Sequence, residues 1–508
     1  MLAIGLLVFR DYGISWDEPQ QRNIGAVSLK YVLSLIAPQA MTGDLQQLPD
    51  LQDFADRDYG VGFELPAFAA EKLLGLTSTQ SIYFFRHLLN YLVFLIGVGA
   101  TYSMAARRHG AWQAGLLAAL LLYFSPRIFA ESFYNDKDII FMAAFALAAC
   151  TMLALFRKPD FKSAFWHALA TAWALDIRIM AIVMVPATLF VLAARAFQQR
   201  DLAARLSVLF TCWLAATFAF HVATFPFLWA DPFGNFIAVF QHMAHFRWTG
   251  PELFLGEMID GTRPPWHFAL VWIGVTTPPL VLLLFAAGIF AVACNVLLKW
   301  TDETLEDITS LGLCVAPVLA VIVLHAIIYN GWRHLYFIYP FMILIAVRGA
   351  FIIWNRLRQH RMAAGAALVI LASLFTVTGI WMWKTHPNQH VYFNALAGPG
   401  AGDRFEHDVW GLSNRAAVEY ILAHDASPFI SIAPMSNTPL ENALLMLTDE
   451  QKRRIHVLRY ADFTTYILNN YQIVPSRDDT AMLKTHDLYY QAQVDGDKLV
   501  SVFRRKMP

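Results

Sequence analysis

Long apolar runs broken by short polar clusters repeat along the chain from Ser81 to Trp383, and the pattern stops at Lys384. A helix needs roughly twenty apolar residues to cross the hydrocarbon of a bilayer. The runs read as spanning segments at residues 83–105, 112–124, 139–156, 164–175, 179–194, 206–229, 268–298, 308–329, 335–354 and 362–383. The two short runs on either side of Asp176 form a bent pair or one broken helix. The opening run, residues 1–10, rises only about 15 Å as a helix, half the hydrocarbon thickness, and is expected to be what remains of a first helix. With it the spans number about eleven.

Between that run and Ser81, residues 15–37 read as a partly amphipathic helix suited to a membrane surface. A polar, acidic stretch at 42–58 and a half-apolar piece at 60–76 follow. Beyond Lys384 the periodicity changes. A helix is expected at 414–424, a strand at 429–433, a helix at 440–454, and a hairpin of 488–494 with 498–503 around Asp495-Gly496. The expected fold is an α-helical polytopic membrane protein of about eleven segments with a small extracytoplasmic α/β C-terminal domain. The division falls at 1–383 and 384–508, with outer loops at 11–80, 125–138 and 229–267.

Composition agrees: hydrophobic residues are 57% of the chain, charged residues 15%, and the mean hydropathy is +0.46. No soluble core could hide so much apolar surface. The 38 basic and 38 acidic residues cancel and form no long basic run, which excludes nucleic acid as a partner. Cys150, Cys212, Cys294 and Cys314 all sit in apolar stretches, so neither a disulfide framework nor a thiolate metal site is expected. The opening run lacks a basic n-region and a small-residue cleavage pattern.

The basic residues set orientation. With the N-terminus in the cytoplasm, Arg107, Arg108, Arg157, Lys158, Lys162, Arg195, Arg200, Arg205, Lys299, Arg356, Arg358 and Arg361 fall on one side, as the positive-inside rule requires. The other face then receives every cluster able to do chemistry. The first is DYGISWDEPQ, residues 11–20, with Asp17 and Glu18 adjacent behind Trp16. A half-buried carboxyl beside that indole is expected to have a raised pKa. The second is SPRIFAESFYNDKD, residues 125–138, which gathers Glu131, Asn135, Asp136 and Asp138. Acids at a hydrocarbon boundary are costly unless used, and carboxylates suit a hard divalent cation. Asp138 is equally placed to cap the helix that follows.

Arg86, Arg178 and Arg333 lie in apolar surroundings, with His334 next to the last. A planar guanidinium there needs an anion, and phosphate fits its fork. The alternative is that Arg178 pairs with Asp176 while Arg333 snorkels to the interface. In the long loop, His242 and His245 share a helix face, but no third ligand is spaced for zinc. That loop is a lid and substrate-contact candidate.

An acidic pair after the first segment, the NDKD loop at 135–138, an outer arginine in each of two later turns and an extracytoplasmic tail together resemble the GT-C superfamily. These polytopic transferases use polyprenyl-phosphate-linked sugars; they include the protein O-mannosyltransferases and the lipid A aminoarabinose transferase. The run HPNQHVYFNALAGPGAGDRFEHDVWGLSNRAA, residues 386–417, is similar to bacterial members of unassigned substrate.

The resemblance implies an inverting glycosyltransferase, hexosyl or pentosyl, in the inner membrane with its active site facing outward. It makes Asp17 the general base, with Glu18 assisting. Arg178, Arg333, His334 and Arg86 would bind the donor phosphate. Glu131, Asp136 and Asp138 would form the second acidic loop or hold a divalent cation, Mg or Mn, the one cofactor this reading admits. Trp16, Asn135, His242, His245, Asp408 and Trp410 are substrate-contact candidates. The partners implied are the donor, membrane lipids and an acceptor that is a glycan, a lipid or a protein. A transporter or flippase of lipid-linked saccharide is the competing class.

Overall fold

The computed structural model describes residues 1–244, 249–298, 300–459, 464–472 and 479–506 of the 508-residue chain. It is mostly helical. Among the described residues eight helices are long and apolar enough to cross a membrane: Thr79–His109, Asp138–Arg157, Ile179–Gln198, Arg200–Thr224, Pro279–Leu297, Asp302–Val323, Arg333–Leu357 and Arg361–Lys384. A ninth is counted if Trp112–Tyr123 and Pro126–Tyr134, bent by 73°, are taken as one broken span. The expected eleven therefore include segments that do not meet that length. Leu2–Val8 has 7 residues and Phe161–Leu175 has 15.

The helices begin and end for local reasons. Thr79–His109 starts at Ser78, whose side chain accepts from the Ser81 amide at 3.1 Å, and it closes on Arg107, Arg108 and His109 before Gly110 in a left-handed conformation. Cations in the last turn suit the negative end of the helix dipole. The run 268–298, expected as one span, is two helices, Phe268–Thr276 and Pro279–Leu298. Thr277 is extended (ψ 136°) because it precedes Pro278, and a residue before proline is pushed out of the helical region.

Asp138–Arg157 is the central helix, with 78% of its apolar window buried, whereas Arg361–Lys384 has none buried and lies at the periphery. Small residues let backbones touch. A Cβ on Gly288 would stand 1.9 Å from the Ile345 carbonyl oxygen, and one on Gly349 would stand 2.1 Å from that of Leu284. The helices Pro279–Leu298 and Tyr339–Leu357 cross in backbone contact there, as packing without a hydrophobic drive favours.

Charge is segregated to the two ends of this bundle. At one end, the first turns of Asp302–Val323 collect the arginines that close other helices. Arg108 reaches Asp307 at 2.6 Å, Arg157 reaches Glu306 at 2.5 Å and Arg195 reaches Asp302 at 2.8 Å. Asp138, Arg178 and Arg333 stand at the opposite ends of the same or adjacent helices, about 30 Å away by the rise of a twenty-residue helix.

The segment expected to lie on the membrane surface is the helix Glu18–Ile36. Its first half is buried against Glu64–Leu73, although Leu35 and Ile36 are exposed. The second acidic stretch is not a solvated loop either: Pro126–Tyr134 is a helix with proline at its first position, and its residues from Ile128 onward are buried.

In the long loop a helix, Pro232–Ala244, precedes a hairpin of β1 (Pro251–Phe254) and β2 (Glu257–Asp260). The tail holds a helix, Ser413–His424, against a five-stranded sheet of order β4-β3-β5-β7-β6. Its strands are β3 (Ile430–Pro434), β4 (Ile455–Val457), β5 (Tyr466–Asn470), β6 (His486–Val494) and β7 (Asp497–Arg505). The expected hairpin is β6 and β7, turning at Asp495 and Gly496, both with positive φ. The expected helix 440–454 is broken into Leu440–Leu444 and Asp449–Arg454, because Thr448 and Gln451 form a capping box.

Candidate active site

Asp17 occupies the N-cap position of the Glu18–Ile36 helix without a side-chain cap bond, and its neighbour Glu18 holds the turn in place. Glu18 accepts from the Ser15 amide at 2.6 Å and meets His87 Nε2 at 2.9 Å; the Ser15 hydroxyl in turn donates to the Tyr134 carbonyl at 3.1 Å. With both Glu18 oxygens engaged, the Asp17 carboxylate is left to face the helix ends opposite. There it accepts from Arg333 Nη1 at 2.8 Å.

Arg333 lies 3.6 Å from Asp138 Oδ2, and Asp138 Oδ1 accepts from Arg178. The chain thus alternates in sign: Asp17, Arg333, Asp138, Arg178. Neither simple alternative holds, because Asp176 pairs with His221 at 2.7 Å rather than with Arg178, and Arg333 is buried. Nor does the Asp138 side chain cap its helix. Lys137 occupies the N-cap position, and Asn135 Oδ1 accepts from the Asp138 amide at 2.7 Å.

Aromatic faces enclose these cations. Arg333 lies 4.9 Å from the Tyr329 ring and 4.8 Å from the Trp410 ring, and Lys137 Nζ sits 3.7 Å over Tyr59. His334 packs edge-on against Tyr329 with its Nδ1 unpartnered among the described residues. Trp410 is buried, as is Asp408, so the two serve as support rather than as exposed contacts. Asp408 adopts φ 44° and accepts from His390 at 2.9 Å, the Leu412 amide at 2.9 Å and Asn470 at 2.7 Å. It thereby fixes the turn that carries Trp410.

Burial alone would push the Asp17 carboxyl up, but the charges of Arg333, Lys137 and Arg178 outweigh it and hold Asp17 below the usual carboxylate range. The raised value expected beside Trp16 is therefore corrected, for Trp16 points outward and is 46% exposed. Burial, then the like charge of Arg178, pulls Lys137 down to about 7. Lys137 lies between the two expected acids, and its role was not legible there, because nothing in the local sequence brings it onto Tyr59 and Asp17.

Arg86, grouped with Arg178 and Arg333 from sequence, is placed elsewhere. Its guanidinium is buried against Glu64, against Glu71 at 3.0 Å and against Asp136 at 3.4 Å. Three carboxylates already surround it, and Arg22 joins them through Glu71 at 2.8 Å. Burial, then the charge of Glu64, pushes Asp136 well up.

The second acidic loop does not form a cation site. Asp138 faces arginines, Asp136 faces Arg86, and Glu131 accepts from Asn135 at 2.8 Å and from the Tyr336 hydroxyl at 2.8 Å. Among the described residues no three His, Cys, Asp or Glu side chains group as metal ligands do. His242 pairs with Asp58 in a separate cluster beside the Pro232–Ala244 helix, and His245 lies outside the described residues.

A polytopic helical scaffold with an acidic first turn and opposed arginines at one end of the bundle is the arrangement expected of the GT-C transferases. Residues 71–229 match the family model described as dolichyl-phosphate-mannose-protein mannosyltransferase, which bears out that resemblance. Among solved structures, ArnT from Cupriavidus metallidurans, determined bound to undecaprenyl phosphate, is similar over 98% of this chain and 96% of its own. The identity is 14% and the TM-score 0.49. No curated protein matches the chain in sequence.

Proposed function

We propose that the chain transfers a sugar from a polyprenyl-phosphate-linked donor to an acceptor hydroxyl, with inversion, on the outer face of the inner membrane. The eight long helices with Trp112–Tyr123 and Phe161–Leu175 make ten, and the eleventh crossing, which an extracytoplasmic tail requires, would include Leu2–Val8, too short at 7 residues to span alone. The observation that carries the reading is an unmet demand for an anion. Arg333 is held beside Asp17 and Arg178 beside Asp138, and the Nε of each is buried with no partner among the described residues. Arg86 Nε is idle as well, but three acids face it, whereas here Arg333, Arg178 and Lys137 face two carboxylates. A buried guanidinium with an idle donor suits an arriving phosphate. The matched family supports a lipid-phosphate donor.

In this mechanism the Asp17 carboxylate takes the acceptor proton as the acceptor oxygen bonds the anomeric carbon and the carbon–oxygen bond to phosphate breaks on the opposite side. The electron pair leaves with the phosphate, whose growing charge meets Arg333, Arg178 and Lys137. Asp17 is ionised at neutral pH but is a weak base while Arg333 faces it. A phosphate that draws Arg333 away raises the basicity of Asp17 when the acceptor needs it. Glu18 and His87 hold the turn, and Asn135 and Glu131 hold Asp138.

The test is consumption of a panel of polyprenyl-phosphate sugars by the full chain in lipid discs, with the anomeric configuration of the product read by NMR. One donor is expected to be consumed with inversion, and Asp17→Asn to slow it by about 10²–10⁴-fold. Equal consumption by the variant removes Asp17 from the role, whereas a donor that only changes sidedness makes the chain a flippase.

A further inference from the structure

A second opening, distinct from the charged cluster, lies on the neighbouring face of the Glu18–Ile36 helix. It is a cleft of about 760 Å³ walled by Trp16 and Asn23 on one side, Phe68 and Tyr83 on another, and Asn442 of the tail on the third. Trp16 and Pro19, which flank Asp17 and Glu18 in the chain, both line it, although neither acid does. Tyr83 lies one helical turn before His87, which holds Glu18.

The walls are fixed to one another. Asn442 Nδ2 donates to the Ser15 carbonyl at 2.9 Å, Thr79 Oγ1 to that of Leu445 at 2.7 Å, and Gln80 Nε2 to that of Met446 at 2.7 Å. The cleft is therefore preformed, and the tail is part of it.

Its chemistry differs from that of the arginine cluster. Each cation lining it already has an acid: Arg22 is paired with Glu71 at 2.8 Å, and Lys72 with Asp44. Gln20 donates to Asp56 at 2.5 Å. No unopposed charge remains for a phosphate or a carboxylate. Beside the apolar Leu45, Leu48, Phe68 and Ile82, what remains is a broad indole face, a phenol and planar amides, which can stack on the C–H face of a sugar ring and pair with its hydroxyls. The volume lies within the range of roughly 300–1,000 Å³ typical of sites for molecules of a few rings.

We infer that this cleft is the acceptor subsite and that it takes a neutral, hydroxyl-rich saccharide, the part of the acceptor that does not react. The inference rests on the transferase reading above and names its acceptor class. A phosphorylated lipid headgroup would find its charges unmet there.

The test uses the full chain in lipid discs with the consumed donor and three acceptor probes: neutral trisaccharides (maltotriose, cellotriose and triacetylchitotriose), a phosphorylated glucosamine disaccharide and a serine/threonine peptide. At least one neutral trisaccharide is expected to accept the sugar. Asn23→Trp, which fills the cleft, is expected to raise that acceptor's KM tenfold or more while leaving donor KM and acceptor-free donor hydrolysis unchanged. Trp16→Ala should raise the same KM, and Trp16→Phe, which keeps a stacking face, should restore most of it. Transfer to the phosphorylated sugar or the peptide alone, or an acceptor KM unmoved by Asn23→Trp, overturns the subsite while the transferase stands. If the natural chain consumes no donor, both readings fall together.

Discussion

Asp136 and Asp138 are two residues apart and face different arginines, and what surrounds each arginine is opposite in sign. Asp138 joins a group with two carboxylates, Asp17 and Asp138, against Arg178, Arg333 and Lys137. Asp136 joins Glu64 and Glu71 around Arg86, with Arg22 at the edge. The first group has a cation to spare; in the second, acids crowd one fully buried cation, although Arg86 Nε too has no partner among the described residues. An arginine in apolar surroundings is thus not a phosphate ligand by that fact alone. Its partners decide whether it binds the fold together or waits for an anion.

Exchanging the charge at each centre tests this difference. Arg333→Met is expected to lower kcat by about 10²–10³-fold, the usual cost of losing one donor aimed at developing charge. Lys137 and Arg178 still face the acids it leaves behind, so its melting temperature should fall less than that of Arg86→Met. Arg86→Met leaves three buried acids without their shared cation and is expected to cost about 3–5 kcal/mol of stability, read as lost thermal resistance in detergent or discs. A stable Arg86→Met with a raised donor KM would erase the distinction.

Lys137 sharpens the comparison through pH. Held near 7 by burial and Arg178, it is charged below that value and neutral above it. A free enzyme that needs this charge should lose donor affinity as pH rises, by about tenfold per unit above pH 7. Lys137→Arg should flatten the profile between pH 7 and 9, and an unchanged slope would assign the titration to another group. The smallest effect is expected at Trp410→Leu. Loss of one cation–π contact, about 0.5–2 kcal/mol, should raise donor KM roughly twofold to thirtyfold and leave the acceptor KM alone.

Much of the first group was legible in the sequence. Positive-inside counting put Asp17, Asp138, Arg178 and Arg333 on one face although Asp17 and Arg333 are 316 residues apart, and those four are in contact. Membrane helices allow this, because a loop at a helix end has few places to go. The second group was not legible. Glu64 and Glu71 lie in the piece read only as half-apolar, one helical face of which turns out to meet Arg86. Which acid a buried arginine chooses depends on how helices pack, and residue type does not carry that. The Thr277-Pro278-Pro279 break, by contrast, was written in the chain, but the apolar run around it is long enough to read as a single span.

The most direct test of the central claim is binding of polyprenyl phosphate alone to the natural chain, Arg333→Met and Arg86→Met in discs, at a temperature where all three stay folded. Arg333→Met is expected to lose tenfold or more in affinity and Arg86→Met to bind as the natural chain does. Undiminished binding by Arg333→Met, or an equal loss in both variants, would contradict the claim that the Asp17–Arg333 cluster is where the lipid phosphate sits.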